Sequence, residues 1–205
     1  MGSGRPLSFW RALGPATAAR GYTWGVELRG GCVVPAIAGG LCLLSNALFE
    51  LAARAGWTIL ERHGHSLEAI PPPAGVPMLD ATVAFPDVDL VVAPRSGPVR
   101  LAVHLDEEAL VLEAFAAVLP RERFEITAEE KITARGGERF RESRISRQRL
   151  HGDGSRGDVE AVGVSHRRIL AAGEKGRNCL TCEQETCRDR PNERLLTALR
   201  TTGPR

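Results

Sequence analysis

The sequence has few aromatic residues and almost no net charge, and both shortages limit what the protein can be. Aromatic residues make up 5% of the 205 residues, so we expect a core built from aliphatic side chains. Lys and Arg number 27, against 25 Asp and Glu, which leaves a net charge of +2. Nucleic-acid-binding proteins carry a clear basic excess, and we therefore expect no nucleic-acid partner.

Long apolar runs are also missing. No stretch reaches the roughly 18 residues of a membrane-spanning helix, and the opening MGSGRPLSFWRALG lacks the apolar segment of a secretory signal. The sequence as written therefore predicts no membrane span and a cytoplasmic location. The hydrophobic share of 43% and the charged share of 25% are typical of a globular protein. The length favours one domain, with room for an appendage.

The hydrophobic pattern predicts an α+β fold, in which one main helix packs on a β-sheet and is followed by charged β-strands and a Cys-rich tail. The helix is predicted over 41–55, where Leu44, Leu48, Leu51 and Ala55 recur at helical spacing. Gly56 follows the last of these, as is usual at a helix end. Extended segments are expected on both sides of this helix, at 21–28, 32–37, 57–63, 80–85, 88–94 and 99–115, although the pattern of 109–119 fits a helix equally well.

The composition changes near residue 120, and this divides the chain into three parts. We assign a core domain to 1–118, a charged β-rich extension to 119–170 and a Cys-containing tail with a short helix to 171–205. Charged and apolar residues alternate in the extension, which predicts solvated strands joined at Gly136 and Gly137.

Cys42 is the first candidate functional residue, because it falls in the first turn of the predicted helix, just after Gly39 and Gly40. The N-terminus of a helix carries partial positive charge and unpaired N–H groups. Both stabilise a thiolate, so a cysteine at this place is a better nucleophile than an ordinary one. The alternative interpretation is a small buried cysteine that packs under a glycine turn.

A thiol nucleophile needs a base, and the base needs a carboxylate to orient it. The segment ERHGHS supplies His65 as the base and His63 as a reserve, and DATV supplies Asp80 at the start of the next predicted strand. This order along the chain is that of papain-like and transglutaminase-like thiol enzymes, so a similar arrangement of helix and sheet is expected. As structural alternatives, His65 could cap a turn and Asp80 could close the Pro-rich loop at 71–77.

Together these segments resemble the VanW family, named for the accessory protein of vancomycin B-type resistance operons. Five ordered motifs carry the resemblance: LSFWRALGP at 7–15, GY at 21–22, GGLCLLSNALF at 39–49, ERHGHS at 61–66 and DATV at 80–83. The resemblance covers about residues 5–105 and implies a connection with the bacterial cell envelope and with glycopeptide resistance.

The chain departs from the family pattern at two positions next to the cysteine. Ala38 stands where the family has the first of three glycines, and Leu43 stands where the family has a glutamine after the cysteine. A glutamine there that held an oxyanion would be missing from this chain. The first family motif also lies almost at residue 1, whereas family members generally have more chain before it, so we expect a truncated or unusually short version.

Cys179, Cys182 and Cys187 form a C-x2-C-x4-C pattern near the end of the chain. The first pair has the spacing of a metal-binding turn, and the odd total of five cysteines argues against a disulfide scaffold. We expect zinc at these three cysteines, with His166, Asp189 or Cys32 as candidates for the fourth ligand. An iron–sulfur cluster is the weaker alternative, and a tail without metal is the third.

Two functions follow from these observations. The first is an enzyme in which Cys42 is the nucleophile, His65 the base and Asp80 the orienting carboxylate, acting by acyl transfer or amide cleavage. Its substrate would be a peptide or a peptidoglycan precursor. The second is a non-catalytic binding or structural module with a metal-stapled tail. Neither interpretation determines an oligomeric state.

Overall fold

The computed structural model describes residues 4–68, 78–95, 97–117, 122–171 and 177–179, together with Cys182, Cys187 and Thr197. Within these residues the α-helices are Phe9–Leu13 (α1) and Leu41–Arg54 (α2). The strands, in chain order, are Leu7–Ser8 (β1), Trp24–Arg29 (β2), Cys32–Ile37 (β3), Thr58–Glu61 (β4), Leu67–Glu68 (β5), Val91–Ala93 (β6), Val99–Leu105 (β7), Leu110–Ala116 (β8), Arg123–Arg135 (β9), Glu138–Leu150 (β10), Arg156–Ile169 (β11) and Arg177–Asn178 (β12).

These strands form several small sheets. One has the order β1-β6-β4, a second has the order β12-β3-β2, and strands β7 and β8 form a hairpin. The largest sheet has the order β5-β11-β10-β9, in which β5 runs parallel to β11 and the other pairs are antiparallel.

The predicted α+β fold, with one main helix on a sheet in a papain-like or transglutaminase-like arrangement, is wrong. The described chain is mostly β, and its longest strands are β9, β10 and β11, of 13, 13 and 14 residues. The residue pattern located most strands, but it carries no information about how short strands group into separate sheets. The sequence-based prediction therefore overestimated the contribution of helix α2 to the fold.

Helix α2 itself was predicted correctly, and its sequence explains both ends. Gly40 precedes it in a left-handed conformation with a φ of 95°, which glycine adopts without strain, and Arg54 ends it shortly before Gly56. Leu48, Phe49, Ala52 and Ala53 are buried, and the helix packs against β4, β6, β8 and β9. The β2–β3 and β7–β8 hairpins lie where the hydrophobic pattern predicted extended segments. The charged hairpin of β9 and β10 turns at Gly136 and Gly137, as predicted.

The hydrophobic core gathers residues from most of the described chain. It contains Trp10 and Trp57 and the aliphatic residues of α2 and β6, and it also includes Ile126, Ile145 and Val162 from β9, β10 and β11. The charged strands therefore share one core with the N-terminal elements.

Two glycines let the chain cross itself just before α2. A Cβ on Gly39 would lie 2.3 Å from the backbone nitrogen of Val26, and a Cβ on Gly25 would lie 2.7 Å from the carbonyl oxygen of Gly39. Any side chain at either position would collide with backbone. This crossing places the N-terminus of α2 against strand β2.

Ala38, the residue at the first glycine position of the family motif, has a φ of 61°. A left-handed conformation costs a residue with a Cβ roughly 1–2 kcal/mol. We expect Ala38→Gly to raise the free energy of unfolding by about 0.5–1 kcal/mol in urea denaturation, since relief of this strain exceeds the added entropy of the unfolded chain.

Ala36→Gly is the matched control, because Ala36 lies in the same strand pair without a positive φ. It should destabilise the protein by about 0.5–1 kcal/mol. A loss of stability in both variants would show that the conformation of Ala38 is not strained.

Candidate functional site

Cys42 lies in the first turn of α2, as the sequence predicted. Its sulfur is 3.8 Å from the hydroxyl of Thr82 and 3.9 Å from the carbonyl oxygen of Val83. Both belong to the DATV segment, so helix α2 and this segment meet at the thiol.

Two polar residues of α2 hold the DATV segment in place. The Ser45 hydroxyl donates to the carbonyl of Ala81, and the Asn46 side-chain oxygen accepts from the Ala81 N–H at 2.7 Å. Ser45 is completely buried. The family motif contains this Ser-Asn pair, but its spacing alone does not show that the pair fixes the neighbour of Asp80.

Asp80 is completely buried and binds His65 through both carboxylate oxygens. One oxygen pairs with Nδ1 of the His65 ring, and the other accepts the backbone N–H of His65 at 2.8 Å. The ring orientation is therefore set by Asp80, and Nε2 is the ring nitrogen that remains for the thiol.

The pKa of the Cys42 thiol is shifted downward by this arrangement. Burial on its own raises the thiol pKa, but hydrogen bonds with His65 and the Val83 backbone and the charge of His65 outweigh that effect. A lowered pKa increases the thiolate fraction near neutral pH.

The partners of Cys42 have shifted pKa values as well. Hydrogen bonding to Asp80, and then to Cys42, raises the pKa of His65 to about 9 against the opposing effect of burial. For Asp80 burial is the largest influence and raises its pKa, but hydrogen bonds and charge from His65 and the charge of Arg62 reverse the direction. All three shifts favour a thiolate beside an imidazolium.

A groove of about 540 Å³ opens at this site, and both Cys42 and His65 line it. Its walls come from the end of α1, from β2, from the turn before α2 and from residues 82–85. Leu43, which replaces the family glutamine, is not among the lining residues and is 60% exposed. The side chain at position 43 is therefore directed away from the thiol.

Arg62 is a further residue of this site, and sequence reasoning assigned it no role. Its side chain is only 4% exposed, and its guanidinium donates to the carbonyl of Asp80 and, at 2.6 Å, to that of Val164. The same group lies 3.9 Å from the Asp80 carboxylate and 5.3 Å from the ring centre of Phe49. Arg62 thus adds a second positive group beside the buried carboxylate. The ERHGHS motif contained the signal, an arginine next to two histidines.

His63, the reserve base, is placed differently. Its Nε2 lies 2.9 Å from the Glu61 carboxylate, and the residue does not line the groove. His65 is therefore the histidine that the structure brings to Cys42.

The three tail cysteines are not gathered into a metal centre in the part of the chain that the structure describes. Cys179 is buried, and Cys182 and Cys187 are partly exposed. Among the described residues no group of three or more His, Cys, Asp or Glu has metal-binding geometry. Asp189 and, apart from Thr197, the last residues of the tail in which the short helix was expected lie outside the described residues, and the zinc assignment stays a prediction.

The buried Arg62 is expected to matter far more for stability than an exposed arginine. Arg62→Gln leaves the Asp80 carboxylate without its second cation, and removing one partner of a buried pair costs about 3 kcal/mol. Arg54→Gln breaks an exposed pair with Glu50, and should cost less than about 0.5 kcal/mol. Urea unfolding measures both, and equal losses would contradict the account.

Titration of His65 by NMR tests the electrostatics directly. We expect its pKa to be about 9 in the wild-type protein and to fall toward the ordinary 6.5 in Asp80→Asn. Because the folded value exceeds the unfolded one, the stabilisation from protonated His65 is complete below pH 6.5 and is lost as the pH rises through about 9. Asp158→Asn, at an exposed residue of β11, is the control and should leave the titration unchanged.

Comparison with known proteins bears on the same region of the chain. No solved structure matches it, and none of the helices in the described ranges combines the length and apolar character needed to cross a membrane. A curated relative, the vancomycin B-type resistance protein VanW of Enterococcus faecalis, is 29% identical over 126 residues, which are 60% of this chain and 46% of the relative. The chain thus spans less than half the length of that relative. A family model described as VanW like protein matches residues 1–115, more than half of the chain, and the protein therefore belongs to the VanW family.

Proposed function

We propose that this chain is a cysteine-dependent enzyme that transfers an acyl group from, or cleaves an amide bond in, a peptide-like substrate. One observation carries the proposal: Cys42, His65 and Asp80 follow one another in space at the wall of an open groove. A thiol, a base and an orienting carboxylate in this order are the parts that nucleophilic thiol catalysis needs.

The groups support a reaction in two balanced steps. The Cys42 thiolate attacks the carbonyl carbon of the substrate, the C–N bond breaks, and the His65 imidazolium gives its proton to the departing amine. A thioester on Cys42 results. His65, now neutral, takes a proton from water or from an acceptor amine, which attacks the thioester and releases the Cys42 thiolate, so that the thiolate and the imidazolium are restored.

The first turn of α2 supplies the groups that stabilise the developing oxyanion. The N–H groups of Leu41 and Cys42 precede the first intrahelical bonds and have no helical acceptor. Such N–H groups, together with the helix dipole, stabilise negative charge beside the sulfur. This contribution does not need a side chain at position 43.

The relative's name connects the proposed activity with vancomycin B-type resistance. On this basis we propose a peptidoglycan precursor as a substrate class, within the broader class of peptides. The zinc-stapled binding module has no observation in its favour among the described residues.

Acylation by p-nitrophenyl acetate tests the proposed activity. We expect a burst of one equivalent of nitrophenol and, by mass spectrometry, one acetyl group on Cys42. Cys42→Ser should abolish the burst, and His65→Ala should slow it by about 10²-fold, the usual contribution of a general acid–base.

Cys32→Ser is the matched control, because Cys32 lies on β3 and does not line the groove. Its burst should equal that of the wild-type protein. Acetylation of Cys42 at the same rate as Cys32, or a burst that survives His65→Ala unchanged, would rule out the enzymatic proposal.

A further inference from the structure

The groove beside Cys42 extends along one edge of strand β2. Four consecutive residues of β2, from Val26 to Arg29, line it, whereas only the last residue of β3, Ile37, does so. Successive side chains of a strand point to opposite faces, so a groove that touches four in a row runs along the strand edge. This sheet has the order β12-β3-β2, and among the described residues no strand pairs with the outer edge of β2.

The register of the hairpin shows which backbone groups point toward that edge. Arg29 lies opposite Cys32 across a two-residue turn, so these two exchange the closest pair of ladder hydrogen bonds. Opposite pairs alternate between bonded and non-bonded, which places Leu28 and Val26 in non-bonded pairs with outward N–H and C=O groups. Two observations agree. Pro35, which has no N–H, lies opposite Val26. Val33, opposite Leu28, turns its carbonyl outward to the Cys179 N–H at 3.0 Å.

Val26 is not available for pairing, because the chain crossing covers its backbone. A Cβ on Gly39 would lie 2.3 Å from the Val26 nitrogen and 2.6 Å from its carbonyl oxygen. Leu28 is thus the residue of this edge that presents a donor and an acceptor to the groove.

We propose that the substrate is a peptide that binds in extended conformation and forms a two-hydrogen-bond clamp with the backbone of Leu28. This inference rests on the proposed function, since the clamp positions the substrate carbonyl for Cys42. A donor and an acceptor from one strand residue match the N–H and C=O of one residue in another extended peptide, as in recognition by strand addition. Acyl chains lack this paired arrangement.

The side chains around the clamp determine which peptide fits. Val26, Leu28 and Phe85 line the groove and are 54%, 51% and 51% exposed. Apolar side chains exposed beside a catalytic groove gain free energy when a ligand covers them. The substrate is therefore a peptide with an apolar residue next to the bond that is attacked.

Four probes test the clamp. Two lack a peptide: chloroacetamide and a simple chloromethyl ketone. The other two are a capped dipeptidyl chloromethyl ketone with apolar side chains and the same ketone with its clamped peptide nitrogen methylated. We expect the dipeptidyl ketone to alkylate wild-type Cys42 with a second-order rate constant at least tenfold above that of a chloromethyl ketone without the dipeptide. Methylation should cost about tenfold, the effect of one lost hydrogen bond.

Leu28→Pro removes the outward N–H and should slow the dipeptidyl ketone about tenfold while leaving chloroacetamide unaffected. Leu28→Ala keeps the backbone donor and is the matched control, with a smaller decrease. The chloroacetamide rate also reports whether Leu28→Pro is folded, and the methylated ketone tests the clamp without any substitution.

The outcomes separate the two proposals. If chloroacetamide reacts with Cys42 no faster than with Cys32, the proposed function itself is contradicted. If Cys42 reacts rapidly with chloroacetamide but methylation of the peptide has no effect on the dipeptidyl ketone, only the clamp is overturned.

Discussion

The carboxylate of Asp80 lies in the interior, where an isolated negative charge would be strongly destabilising. His65 binds it through ring and backbone, and the Arg62 guanidinium lies 3.9 Å from it. These contacts position the His65 ring, raise its pKa and favour the thiolate of Cys42. The pKa shifts of His65 and Cys42 therefore depend on one buried carboxylate, that of Asp80. The N-terminus of α2 adds to the stabilisation of the thiolate that the His65–Asp80 pair already produces.

Backbone packing brings the parts of the site together. The contact between Gly25 and Gly39 directs the chain into α2 over the edge of β2, and Ser45 and Asn46 tie the DATV segment to that helix. The same crossing covers the backbone of Val26 and leaves that of Leu28 facing the groove. The turn that precedes Cys42 thus also shapes one wall of the groove.

Much of the site could be predicted from local patterns, because each of its members sits in a short motif. Helical spacing placed Cys42 in a first turn, and the order of Cys42, His65 and Asp80 suggested their contact. The fold class could not be predicted in this way, since the pairing of two- and three-residue strands such as β1 and β6 is decided by tertiary contacts. The buried arginines were also missed. Arg147 alternates with partly exposed residues in a charged strand, yet it is fully buried, bonded to Glu160 and 5.1 Å from the Phe124 ring. The alternation of residues predicts which face of the sheet a side chain occupies. It does not show that an arginine can be buried and paired with a carboxylate.

The central claim is that the contact with protonated His65 lowers the pKa of the Cys42 thiol below its ordinary value. The ultraviolet absorbance of the thiolate measures this pKa directly. It is titrated with pH in the wild-type protein, and the absorbance of Cys42→Ser at the same pH is subtracted. The account predicts that this difference develops at a lower pH than that of an ordinary thiol. A difference that first develops as the pH approaches 9.0, the ordinary thiol value, would contradict it.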